Sequence, residues 1–135
     1  MLTYDGEDYW RDRALGAENN IINTVAVGRG TAAESKTDTG LVNEVFRATV
    51  PDDDNLLTFA PRTIPDEQIH GRCIAELSIS GGMEVASGTG ITESAIIAGG
   101  GGGQGSGRCI YRRTFASIGV SEGLETTIRH PFDIE

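Results

Sequence analysis

Long apolar runs are missing from this chain of 135 residues. No stretch approaches the roughly 20 residues that cross a bilayer as a helix, so no membrane insertion is expected. Positive charge is scarce as well: 11 Lys and Arg stand against 20 Asp and Glu, for a net charge of −9 and a pI near 4.6. A chain without surplus cations has nothing with which to displace the counterions of a nucleic-acid backbone. Docking on an anionic lipid surface is excluded for the same reason. Residues 1–13 are acidic and hold no apolar core of a signal peptide. Lysine is nearly absent, since Lys36 is the sole one and the other bases are arginine. An acid-rich, lysine-poor surface stays hydrated when salt screens ordinary repulsion, which points to a high-salt source. Aromatics make up only 6%, so the core has to come from Ile, Leu, Val and Ala.

Cysteine is limited to Cys73 and Cys109, too few for a disulfide scaffold. Both lie in the phrase Gly-Arg-Cys-Ile, at 71–74 and 107–110. Two small buried residues are the expectation, a mutual disulfide the alternative.

What is present is a series of short alternating segments. Residues 8–15 open on Asp8, hold good helix formers and stop at Gly16, which predicts a short helix with Trp10 and Ala14 as its buried stripe. Strands are predicted at 21–27, 44–50, 56–60, 70–80, 91–98, 109–118 and 124–130, with a further hairpin arm at 83–86. The alternation is cleanest at 70–80, where Cys73, Ala75, Leu77 and Ile79 share one face. Residues 33–40 and 51–55 read as loop and turn, and Pro61 and Pro65 bracket an irregular or edge segment. Seven or eight short strands at regular spacing predict a mainly β fold, a small antiparallel β-sandwich or flattened barrel with a short N-terminal helix. The whole of 1–135 reads as one domain with 1–20 as a helical arm. Size scaling gives a folded surface of roughly 7,000 Å².

Direct chemical signals are few. Residues 99–107 contain seven glycines, yet no lysine follows them to reach a phosphate, and the third glycine of a dinucleotide fingerprint is missing after Gly28 and Gly30. The run reads as a flexible or closely packed hairpin loop. His70 and Cys73 stand three apart, so on a strand they face opposite sides and cannot grip one zinc ion. Asp52, Asp53 and Asp54 offer hard oxygen ligands without the spacing of a calcium loop. No nucleophile elbow is present; two catalytic carboxylates are the one enzymatic form left, and nothing singles out a pair. No catalytic residue, cofactor or metal is assigned.

Three phrases occur in a telling order: Val25 to Thr31, VAVGRGT; Asp38 to Arg47, DTGLVNEVFR; and Ile91 to Ile97, ITESAII, followed by a strand closing on Arg112-Arg113-Thr114-Phe115. This order resembles small structural proteins and N-terminal fibre domains of tailed viruses, across about residues 21–118. The block 72–87 has no clear counterpart there, and the long glycine loop is unusual. The resemblance implies a virion component of the tail tip, baseplate or fibre, acting by assembly with itself and other virion proteins. With the acidic composition it points to a virus of a halophilic archaeon. The alternatives are a capsid-surface turret or spike, or a module that binds a host receptor or glycan through its loops.

Gly28 and Gly30 are expected to let the chain turn sharply. Glu44 and Arg47, three apart, are expected on opposite strand faces, each meeting a neighbouring strand or subunit. Arg112 and Arg113 point to opposite faces; each needs a partner, from its own chain or from the next subunit. Trp10, Arg47, Arg112 and Arg113 are therefore the assembly candidates. Asp52, Asp53, Asp54, Gly101 and Gln104 are the recognition candidates, since loops on a rigid sandwich carry binding.

Overall fold

The structure, a computed structural model, describes residues 1–61 and 72–133. Its elements are α1 (Tyr4–Ala14), β1 (Ile22–Gly28), β2 (Glu44–Thr49), β3 (Leu57–Pro61), β4 (Arg72–Ser80), β5 (Gly90–Ala98), β6 (Arg108–Gly119) and β7 (Glu125–Asp133). They form a four-stranded sheet, β2-β1-β5-β6, and a three-stranded sheet, β3-β4-β7. Every pairing is antiparallel. The sheets face each other across one apolar core, drawn from Val25 and Val27 on one side and Leu77, Ile79 and Ile128 on the other. The sandwich form of the expectation holds, and no closed barrel is made. The accessible surface is 7176 Å², close to the value expected from size.

Alternation fixes β4: Ala75, Leu77 and Ile79 are buried while Ile74, Glu76 and Ser78 are half-buried, the pattern of a sheet solvated on one face. β5 behaves differently, with every residue from Glu93 to Ala98 buried. A strand reads this way when both of its faces are covered. Beneath β5 lies the apolar core; above it lies the long connection 29–43, which folds back over the outer face of the four-stranded sheet. Leu41 in that connection packs on a small outer cluster of Ala26, Ala95, Ile97 and Cys109.

The registers define two ends. Ser80 pairs with Glu125 and Gly90 with Gly119 at one end, which carries the turns 81–89 and 120–124. Arg72 pairs with Asp133 and Ala98 with Arg108 at the other. The glycine loop and α1 lie at this second end.

Several boundaries differ from the sequence reading. The helix begins at Tyr4 because Thr3 is its cap, its Oγ1 accepting from the Gly6 N–H at 2.9 Å and donating to the Cys109 carbonyl at 2.8 Å. Asp8 is inside the helix. The buried residues are Gly6 and Tyr9, with Leu2 one turn earlier; Trp10 is half-buried and Ala14 exposed. The reason is close docking on β6: a Cβ at Gly6 would stand 2.3 Å from the Ile110 carbonyl oxygen. Leu2 bridges Tyr111, so the residues before the helix line the edge of β6. Residues 83–86 form a turn with a bridge between Gly81 and Val85, not a strand. β7 continues through Pro131, which an edge strand tolerates. The expectations for Pro65 and His70 lie outside the described residues.

Candidate functional site

The outer face of the four-stranded sheet gathers most of the residues singled out in the sequence. Its centre is Glu93, fully buried. One carboxylate oxygen accepts from the Val42 N–H at 2.9 Å; the other accepts from Gly30 at 2.7 Å and Asn43 at 2.9 Å. Arg112, also fully buried, donates to Glu93 at 3.2 Å and to Asp38 at 3.0 Å. Its remaining contacts are the carbonyls of Ala32, at 2.9 Å, and Ala33, at 3.3 Å. One acid and one base thus fasten both limbs of the 29–43 connection to the sheet. Buried charge is tolerable only when fully paired and hydrogen-bonded, and here it is.

Gly28 and Gly30 serve this fastening. A Cβ at either would stand 2.5 Å or less from a Glu93 carboxylate oxygen. Neither glycine has a positive φ, so the requirement is space for a carboxylate rather than the sharp turn expected.

A second cluster lies beside the first. Arg47 and Glu44 form a two-pronged pair at 2.9 and 2.8 Å, contrary to the expectation that they face apart. The register explains it: Val27 pairs with Phe46 but Gly28 with Glu44. The bulge at Val45 breaks the alternation and puts Glu44 and Arg47 on one side. Arg47 Nη1 also donates to the Ser106 carbonyl at 2.9 Å and the Gly101 carbonyl at 3.2 Å. Gln104 Nε2 donates to the Glu44 carbonyl. Asn23 holds Gly100 from both sides, its amide accepting from the Gly100 N–H and donating to the Gly100 carbonyl, each at 3.0 Å. The glycine loop is therefore the closely held form of the two expected, with Gly99, Gly105 and Gly107 at positive φ. Between it and residues 39–44 lies a cleft of about 310 Å³. Ile97 and Cys109 are among its apolar lining, and Arg47, Glu44, Gln104 and Ser106 among its polar lining.

The other candidates are dispersed. Arg113 points to the opposite face from Arg112, as expected. Its Nε donates to Ser94 Oγ at 3.4 Å, and Ser94 Oγ shares a hydrogen bond with His130 Nδ1 at 2.9 Å. Ser94 and His130 are buried between the sheets. Burial, with Arg113 nearby, lowers the His130 pKa to about 3, so the ring is neutral. Trp10 lies at the helix end, donating to the Tyr111 hydroxyl at 3.1 Å. Asp52 and Asp54 are exposed, while Asp53 caps the β2–β3 turn by accepting from the Thr49 N–H at 2.9 Å. Among the described residues no group of His, Cys, Asp and Glu is arranged to hold a metal ion. No disulfide joins Cys73 and Cys109; burial pushes the Cys109 thiol up to about 12, which makes it an inert core residue.

Sequence reasoning missed Glu93 as the hub. The signal was available: an acid inside an apolar strand, with Ile91 before it and Ala95 to Ala98 after it, needs partners in the fold. No helix among the described residues is long and apolar enough to cross a membrane. No protein-family model, curated protein or solved structure matches the chain.

Proposed function

We propose that the chain is a virion structural subunit that acts by assembly, of the tail-tip, baseplate or tail-fibre type, in a virus of a salt-rich habitat. One observation carries this reading. The three phrases that resemble tailed-virus proteins are far apart in sequence, yet they supply the parts of one fastening: the glycines from 25–31, Asp38 and the Val42 and Asn43 amides from 38–47, Glu93 from 91–97, and Arg112 from the closing strand. The composition supports the salt-rich habitat.

A receptor-binding role within the particle has its own support. The cleft beside the glycine loop has a fixed wall, since Arg47, Asn23 and Gln104 hold the loop in place. Organised clefts of this size suit small groups on a partner.

Immunogold labelling of intact purified particles tests the proposal. Gold at the tail tip or fibres supports it. Gold at capsid vertices moves the chain to a surface decoration. Absence of the chain from a blot of dissociated particles contradicts the viral reading.

A further inference from the structure

The two ends of the sandwich are unlike, and the difference is complementary. At the turn end two apolar side chains stand in solvent: Met83, 79% exposed, and Leu124, 63% exposed. Their turns are locked side by side. Gly123 donates to the Gly81 carbonyl at 3.2 Å, Gly82 to Val85 at 2.7 Å, and a Cβ at Gly81 would meet the Ser121 carbonyl at 2.3 Å. Around this knob stand Glu84, Glu122 and Glu125, none of which forms an ion pair among the described residues. Met83 is the most exposed large apolar side chain among the described residues, and Leu124 shares its end of the sandwich.

At the helix end the described residues leave a hollow of about 350 Å³ between the sheets. Trp10, Ile21, Ile22, Phe59 and Phe132 line it, and Arg13 stands at its rim. The hollow holds the space of roughly ten waters, which two aliphatic side chains fill. Arg13 is exposed and forms no ion pair among the described residues; its Nη1 reaches only the Glu18 carbonyl, at 3.3 Å. One end thus offers an apolar knob ringed by carboxylates, the other an apolar hollow with a cation at its edge.

We infer that copies of this chain stack head to tail, with Met83 and Leu124 of one copy seated in the Trp10 hollow of the next and Arg13 meeting the glutamates around the knob. Such a contact joins two different surfaces, so it repeats, giving a ring if the rotation closes and a column if it does not. Salt weakens the Arg13 contribution and leaves the apolar one. The inference shares with the proposed function only the need for self-association; its failure would not move the chain off the particle, and labelling failure would not unstack it.

Sedimentation velocity and tryptophan emission test it together, because Trp10 is the sole tryptophan and lines the hollow. From micromolar to millimolar protein, the sedimentation coefficient should rise while the emission shifts to the blue. Two variants disable one end each at exposed positions: Met83→Glu with Leu124→Glu at the knob, and Ile21→Glu at the hollow. Each alone should associate at least tenfold more weakly, with an unchanged circular dichroism spectrum. Mixed, they should form a dimer and stop, since one intact knob and one intact hollow remain. A monodisperse monomer at millimolar concentration overturns the inference. So does association that survives the knob variant, leaves the emission unmoved, or fails to be restored on mixing.

Discussion

The two faces of the four-stranded sheet are built on different physics. The inner face meets the three-stranded sheet chiefly through aliphatic side chains, Val25, Val27 and Ile96 against Leu77, Ile79 and Ile128, with the Ser94–His130 hydrogen bond as a polar exception. The outer face is covered by a connection that contributes only Leu41 to an apolar cluster. It is held instead by a buried glutamate and a buried arginine that hydrogen-bond its backbone. Apolar burial is spread over many contacts and degrades gradually. A charge fastening is concentrated in two residues and fails at once when either is removed.

That contrast is open to direct attack. Arg112→Met leaves Glu93 buried without its cation, and loss of one partner of a buried pair costs about 3–5 kcal/mol. Leu77→Ala on the inner face opens a cavity at a fully buried site and costs about 3 kcal/mol. Urea unfolding of both variants should show a similar or larger loss for Arg112→Met. Restoration of shape without charge should not help it, whereas Leu77→Met should recover most of the loss of Leu77→Ala.

Acid acts gradually, across a range of pH, at the seam between the sheets. The His130 pKa is lowered from about 6.5 to about 3 by burial beside Arg113. The unfolded chain binds a proton below the ordinary value and the folded chain does not. The contribution is therefore fully present above pH 6.5 and falls away towards pH 3. His130→Asn should lower stability at neutral pH and flatten the acid limb of the profile. An unchanged slope would place the acid sensitivity in the carboxylates instead.

The smallest test compares two glycines. Gly30→Ala puts a Cβ 2.4 Å from Glu93 and should cost about 1–3 kcal/mol, as overpacking does. Gly102→Ala meets nothing within 4 Å and carries no positive φ, so it should be neutral or stabilise by about 0.4–1 kcal/mol through the unfolded chain. Thermal melts of the two variants should move in opposite directions, or the second not at all.

The inner face was legible in the sequence because period-two alternation is a local signal; residues 72–80 show it most plainly. The outer face was not, since its cover is a loop without periodicity and its fastening links residues 30, 42, 43, 93 and 112. Arg112 was correctly seen to need a partner, but residue type and spacing did not say that Glu93 and Asp38 would supply it. The bulge at Val45 reversed the expected facing of Glu44 and Arg47, and bulges leave no sequence mark unless glycine fills them. The helix face was misread because Gly6 and Tyr9 meet β6 through a close backbone approach, which an apolar stripe does not announce.

The central claim is that a buried charge pair, rather than apolar packing, holds the outer connection. Backbone amide hydrogen exchange in the parent chain and in Arg112→Met tests it most directly. Protection at residues 30, 42 and 43 should collapse in the variant while Leu77 and Ile79 in β4 retain theirs relative to global stability. Uniform loss across both faces, or full protection at 30, 42 and 43 without Arg112, would contradict it.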